Sequence, residues 1–205
     1  MPQKIIIVRH GETQYNVDRR LQGWTDVPLN ENGHHQAKKV AERLADEKIE
    51  AIYSSDHKRA HSTSQHIAAK HNLTPKKRKA LREDMMGVLE GWQWETEVDL
   101  DKQRLWDERI KARENHNIHW KEHAGESLHE HTLRVQKLIR EIEKKHPKGT
   151  IIIVSHGGTI NRIMEICGFK NISHDYISYK NTSVTILTRQ GSKYKLDLHN
   201  DTSHL

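Results

Sequence analysis

After four residues the chain enters an unbroken apolar run, Ile5-Ile6-Ile7-Val8, and it repeats that character far downstream as Ile151-Ile152-Ile153-Val154. Consecutive β-branched residues without polar alternation predict strands buried on both faces, as inside a parallel sheet. Glu50-Ala51-Ile52-Tyr53 reads as a weaker strand, and Lys76 to Leu81 as another. Near the C-terminus, Val184-Thr185-Ile186-Leu187 and Tyr194-Lys195-Leu196-Asp197-Leu198 flank Gly191-Ser192. That arrangement predicts a hairpin, and so an antiparallel edge to the sheet.

Between the strands the apolar period lengthens to that of a helix. Ala37, Val40, Ala41 and Leu44 form one stripe on a helix starting near Glu31. Ala60, Thr63, Ile67 and Ala68 form a weaker one, with Ser54 or Ser55 as its cap. Leu128, Val135, Leu138, Ile139 and Ile142 mark a long helix opened by a capping box of Ser127 and Glu130. Ile160, Ile163, Met164 and Cys167 give a last stripe, closed by Gly168 at the C-cap. Strands alternating with helices imply an α/β fold, a three-layer α/β/α sandwich with a mostly parallel sheet and an antiparallel edge strand. Residues 84–125 break the rhythm, being rich in Trp, Arg and Glu, and read as an insertion over one sheet end, covering the active site. Residues 1–205 then read as a single domain.

Composition narrows the function without naming it. The chain is 34% apolar and 30% charged, which suits a globular domain with a charged surface, and its formal net charge of +6 fits a nucleic-acid or membrane partner and an anionic ligand equally well. Cys167 is the only cysteine, so no intrachain disulfide can form, and a reducing, cytoplasmic setting is the expectation. No secretory signal precedes the first strand, and no apolar run approaches the ~18 residues of a membrane span. Lys76-Lys77-Arg78-Lys79 is a basic cluster, but without interleaved aromatics it reads as a solvated face. The expected partner is a small anionic molecule, with no nucleic acid and no membrane, on a monomer or homodimer.

In parallel sheets ligands bind beyond the C-terminal ends of the strands. The first strand runs straight into Arg9-His10-Gly11-Glu12-Thr13, and the second into Ser54-Ser55, with Arg59 shortly after. The later apolar strand runs into Ser155-His156-Gly157-Gly158. Two histidines and two arginines at neighbouring strand ends predict a phosphate site. Arginine offers a planar fork of permanent charge, and glycines let backbone N–H groups approach an anion at a helix start. An imidazole facing arginines is held neutral, and its lone pair is then free to attack phosphorus.

Arg9-His10-Gly11-Glu12-Thr13, followed by Asn16, Gln22-Gly23 and Pro28-Leu29, resembles the signature of the histidine phosphatase superfamily. The resemblance continues through Ser54-Ser55-Asp56-His57-Lys58-Arg59-Ala60, Leu81-Arg82-Glu83, Gly125-Glu126-Ser127 and Ser155-His156-Gly157. It is greatest with the branch of cofactor-dependent phosphoglycerate mutases and related small phosphatases, and it implies their fold. It further implies a metal-independent, cofactor-free phosphomonoesterase acting on a small phosphorylated metabolite. His10 would be the nucleophile, Arg9, Arg59 and His156 would hold the phosphoryl oxygens, and Glu83 would serve as general acid and base. Asn16, Gln22, Gly23 and Gly157 would line the substrate site. The stretch from Asp84 to Gly91 departs from the pattern, and Asp84 is a second carboxylate beside Glu83.

Two alternatives stand beside the phosphatase. A phosphoglycerate mutase would share the first half-reaction, with Arg104, Arg109 and Arg113 as carriers of the substrate carboxylate. A catalytically silent scaffold is the other. His116, His119 and His123 would share one face if their segment were helical and could then bind zinc, but a histidine-rich polar surface is the favoured reading, since no carboxylate–histidine motif of a metal enzyme accompanies them. Trp92, Trp94, Trp106 and Trp120 either anchor the insertion or wall the cleft, and Trp24, beside Gln22-Gly23, has the better claim on substrate.

Overall fold

The two isoleucine runs lie side by side at the centre of one six-stranded sheet. A computed structural model describes residues 1–122, 124–169 and 178–205 of the chain. Its strands are β1 (Lys4–Arg9), β2 (Ile49–Ser54), β3 (Lys76–Lys77), β4 (Thr150–Ser155), β5 (Val184–Gln190) and β6 (Lys193–Asp201). They are ordered β3-β2-β4-β1-β5-β6. The first four of these are mutually parallel, β5 runs antiparallel to β1, and β6 returns antiparallel to β5. The hairpin expected at Gly191-Ser192 therefore forms the antiparallel margin.

The helices are α1 (Gln14–Val17), α2 (Glu31–Arg43), α3 (Lys58–Ala69), α4 (Leu100–Glu114), α5 (Leu128–Lys145) and α6 (Gly157–Ile166). Alternation along the strands divides the core between them. Ile5, Ile7, Ile151 and Ile153 pack with Val135, Leu138, Ile139 and Ile142 of α5 and Ile160 and Ile163 of α6. Ile6, Val8, Ile152 and Val154 pack on the other side with Val40 and Ala41 of α2 and Ile67 of α3. All eight of these strand residues are fully buried, each contributing about 1.5–3 kcal/mol. The sheet is thus covered on both faces, as continuous apolar runs require.

The elements differ from expectation at three ends. Ser54 still belongs to β2, and Ser55 Oγ accepts the N–H of His57 at 3.3 Å, so neither serine caps α3; His57 occupies that position without a side-chain bond. The strand expected over Lys76–Leu81 stops after Lys77, because the chain tightens into a 3-10 turn at Lys79–Leu81 that buries Leu81. Gly168 stands one residue beyond the cap of α6, at φ +100°, where only its lack of a Cβ makes the left-handed turn inexpensive. The capping box of α5 forms as read, with Ser127 Oγ accepting Glu130 N–H at 3.2 Å and Glu130 Oε2 accepting Ser127 N–H at 2.8 Å.

Residues 84–122 contain a 3-10 turn at Gly87–Leu89 and the amphiphilically unmarked α4, whose buried residues are Arg109 and Ala112. Met86, Leu89 and Trp92 make a small core of their own against Leu21, Leu105 and Trp106. Among the described residues, no helix is long and apolar enough to cross a membrane. Within the basic cluster, Lys76 and Arg78 lie over the Tyr53 ring, 5.4 and 5.3 Å from its centre.

Candidate active site

The register of β1 against β4 pairs Arg9 with Ser155. The next residue of each strand is a histidine, and the ladder continues into them: His10 N–H donates to the Ser155 carbonyl at 2.9 Å. Both imidazoles are therefore delivered to the same sheet edge, with ring centres 5.1 Å apart and planes inclined at 60°. They are buried, His10 at 2% exposure and His156 at 0%. On the other side of β4, Ser55 N–H bonds the Val154 carbonyl at 3.0 Å, and the turn beyond it launches α3 with Arg59.

The partners of each ring fix opposite tautomers. His10 Nδ1 lies 2.7 Å from the Gly11 carbonyl, which can only accept, so Nδ1 carries the proton and Nε2 keeps its lone pair. Nδ1 of His156 instead receives Nε–H of Arg59 at 3.1 Å, so the proton of neutral His156 sits on Nε2. That Nε2 is buried and makes no hydrogen bond among the described residues. One ring thus offers a nucleophilic lone pair, and its neighbour offers an N–H.

Burial and neighbouring charge together keep both rings neutral. Burial, followed by the Arg59 and Arg9 guanidiniums, holds the His10 pKa well below the ordinary 6.5. Burial, then Arg59 and His10 itself, does the same to His156. Arg59 is fully buried, yet burial lowers its pKa only to about 10, with the nearby Glu83 charge opposing, so it stays cationic at neutral pH. Its two other nitrogens each give one N–H to the loop above, Nη1 to Thr25 O and Nη2 to Gly23 O, both at 2.8 Å. Gly23 adopts φ +48°, and a Cβ there would stand 2.4 Å from Glu90 Oε1. Arg9 donates to the Tyr179 carbonyl.

Glu83 reaches this edge from the segment after the 3-10 turn at Lys79–Leu81. Its carboxylate rests on the N-terminus of α6, accepting Gly158 N–H and Thr159 N–H at 3.0 Å each, and Asp84 N–H at 2.9 Å. Gly158 permits this approach, since a Cβ there would lie 2.5 Å from Glu83 Oε1. A lone-pair nucleophile, two guanidiniums, an N–H donor and a carboxylate at one strand edge are the parts needed to take a phosphoryl group from an alcohol.

Residues 5–202 match the family described as the histidine phosphatase superfamily (branch 1). The chain belongs to this superfamily. It is 36% identical over 206 residues to phosphoglycerate mutase-like protein 4 of Arabidopsis thaliana, covering 98% of this chain and 86% of that one. It is 32% identical over 207 residues to the metal-independent phosphoserine phosphatase of the same plant, covering 98% and 83%. The structure of mycobacterial glucosyl-3-phosphoglycerate phosphatase complexed with VO3 superposes with a TM-score of 0.85 at 28% identity, covering 98% of this chain and 100% of that one.

Of the other residues singled out in this histidine phosphatase superfamily member, Asn16 and Gln22 gather about Thr13. Thr13 N–H donates to Asn16 Oδ1 at 3.1 Å, and its hydroxyl donates to Gln22 Oε1 at 3.1 Å. Gly23 meets Arg59 through its carbonyl, and Gly157 opens α6. The anion seated on the α6 N-terminus is the Glu83 carboxylate. Asp84 points elsewhere, into a buried ion pair with Arg109 and, at 3.3 Å, Arg113. Trp24 donates from Nε1 to the Glu83 carbonyl at 2.7 Å and lies under Arg82, whose guanidinium carbon is 4.7 Å from the ring centre. Trp92 is an anchor, 1% exposed, whereas Trp94 stacks on Trp106 at 6.5 Å and remains 38% exposed.

Two groups escaped the reading of the sequence. His57 is 3% exposed, its ring centre 5.6 Å from that of His156, and its pKa is lowered to about 4 by burial and by Arg59. It stood in view beside Arg59, but nothing in the pattern said that a helix-capping residue would turn inward. Asn181 bridges His10 O at 3.0 Å and Asn16 Oδ1 at 3.2 Å from 165 residues away in sequence. The helical face expected for the other histidines does not form: α4 ends at Glu114, and His116 sits at φ +58°. His123 lies outside the described residues. Among the described residues, Asp84, Glu126 and His131 cluster closely enough to hold a metal, but arginines occupy both carboxylates, Arg109 and Arg113 on Asp84 and Arg134 on Glu126.

Proposed function

We propose that this protein is a metal-independent phosphomonoesterase that passes the phosphoryl group of a small metabolite through His10. The observation that carries the reading is the pair of opposed tautomers: the lone pair on His10 Nε2 beside the N–H on His156 Nε2. The Nε2 lone pair forms a bond to phosphorus as the bond from phosphorus to the ester oxygen breaks. Glu83, ionised at the α6 N-terminus in the free site, takes up a proton as the phosphate ester binds, and the departing alkoxide receives that proton, which returns the carboxyl to its ionised form. As positive charge develops on the His10 ring, the bond from Nδ1–H to the Gly11 carbonyl strengthens. Arg9, Arg59 and His156 then offset the charge on the equatorial oxygens. Water next attacks phosphorus, its proton goes to Glu83, and the N–P bonding pair returns to His10 Nε2.

Hydrolysis is favoured over mutase chemistry by the state of the three arginines considered for a substrate carboxylate. Arg109 and Arg113 are held by Asp84, and Arg104 pairs with Glu108 at 2.8 Å on an exposed helix face. The names of the relatives suggest phosphoserine or a phosphoglycerate derivative as candidates for a screen. Residues 84–125 act in this reading as an insertion within a single domain and as a roof to the cleft. A cytoplasmic setting fits Cys167, whose thiol burial pushes up to about 12 and so keeps protonated.

The test is a phosphate-release screen over phosphorylated metabolites in the presence of EDTA, with a coupled mutase assay alongside. Undiminished release with EDTA is the expected result. Efficient isomerisation of 3-phosphoglycerate with little phosphate release would replace the phosphatase by the mutase.

A further inference from the structure

Glu83 belongs to neither a helix nor a strand; it lies between the 3-10 turns at Lys79–Leu81 and Gly87–Leu89. Where its carboxylate points therefore depends on what holds the main chain around it. Arg134, on α5, supplies most of that restraint. Its Nη1 donates to the carbonyls of Ala80 and Arg82 at 2.9 and 2.8 Å, and its Nη2 donates to that of Glu83 at 2.8 Å. Nη2 also donates to Glu126 Oε1, and Nε donates to Glu126 Oε2 at 2.8 Å. These bonds use all five donors of the guanidinium, so none is left for a substrate oxygen.

Glu126 extends the clamp to the far side of Glu83. Its Oε1 accepts Met85 N–H at 3.1 Å, and its own N–H donates to Met85 O at 3.1 Å. One ion pair thus fixes the main chain at residues 80, 82, 83 and 85 at once. Trp24 Nε1 and Thr159 Oγ1 complete the seat by donating to the carbonyls of Glu83 and Arg82, each at 2.7 Å.

We infer that Arg134, seated on Glu126, is a positioning residue for the general acid, holding residues 80–85 so that the Glu83 carboxylate reaches the leaving oxygen. The inference rests on the acid role proposed for Glu83. Lysine cannot replace the fork, because an ammonium is a single point of charge and cannot span three carbonyls and a carboxylate. Residues that orient a catalytic group have large kinetic leverage, with a misplacement of about 1 Å costing on the order of a hundredfold.

The test compares Arg134→Lys, Glu83→Gln and the double variant on two substrates. One is p-nitrophenyl phosphate, whose phenolate leaves without a proton; the other is the best alkyl phosphate from the metabolite screen. Arg134→Lys is expected to lower kcat on the alkyl ester by roughly ten- to a hundredfold, with KM nearly unchanged and much less loss on the nitrophenyl ester. In the Glu83→Gln background it should cost nothing further. Equal losses on both esters, or losses that multiply in the double variant, would reduce Arg134 to a structural role and overturn the inference. Should Arg134→Lys not accumulate as folded protein, Glu126→Gln, which loosens the seat but keeps the fork, carries the same comparison. Glu83→Gln losing equally on both esters would overturn the acid role and the inference with it. Discrimination by Glu83→Gln but not by the clamp variants overturns the inference alone.

Discussion

Nε of Arg59 stands 3.1 Å from Nδ1 of His156, and a guanidinium can only donate there. The same arginine therefore sets the tautomer of one histidine and, by its charge, adds to the burial that keeps the other neutral. Arg59→Lys removes the fork that also holds Gly23 and Thr25. Its expected effect is a loss in kcat on the order of a hundred- to a thousandfold, as for an oriented transition-state donor. Long-range proton–nitrogen spectra of the wild type should show the proton of His10 on Nδ1 and that of His156 on Nε2, with the His156 pattern lost in the variant.

Glu83→Gln keeps the shape of the side chain but cannot give up a proton. The loss should be large for alkyl phosphates, about a hundredfold or more, and small for p-nitrophenyl phosphate. Steady-state kinetics on both esters measures the difference.

The pH dependence follows from four buried imidazoles. His10, His57, His131 and His156 all have pKa values depressed first of all by burial, that of His57 to about 4. The nucleophile is active when neutral, so kcat/KM should hold as pH falls through 6.5 and fail only well below it. Stability behaves differently: below 6.5 the unfolded chain binds protons that the folded chain refuses. Each imidazole then costs about 1.4 kcal/mol per pH unit until its own depressed pKa is reached. Urea midpoints should stay nearly level from pH 7.5 to 6.5 and fall between pH 6.5 and 4.5.

The pattern of the chain disclosed the centre of the sheet and the chemistry at its edge because both are local. Ile5–Val8 and Ile151–Val154 announce buried strands, and each runs directly into its histidine. Glu83 was legible only through the family resemblance, since its place is set by Arg134 and by the α6 N-terminus, both distant in sequence. α4 was illegible for a physical reason. Its buried face is made by Arg109 and Ala112 rather than an apolar stripe, and its anchor is an ion pair to Asp84 that no periodicity reveals. Lys76–Leu81 carried strand-like residues, but the 3-10 turn that places Arg82 and Glu83 cut the strand to two residues.

Asp84 gives a stability prediction separate from catalysis. Its carboxylate is 1% exposed and faces Arg109, itself 3% exposed. Asp84→Asn deprives a buried guanidinium of that charge, and the expected cost is about 3–5 kcal/mol in urea unfolding. Activity of the folded fraction on p-nitrophenyl phosphate should persist. Loss of turnover without loss of stability would instead give Asp84 the acid role assigned to Glu83.

The covalent step through His10 is open to direct observation. Rapid acid-free quenching of the enzyme with phosphorus-labelled substrate, followed by peptide mapping, should find an acid-labile, base-stable phosphoryl group on residue 10, and none in His10→Ala. A wild-type enzyme that turns over without labelling that peptide, or a His10→Ala variant that still turns over, would contradict the account.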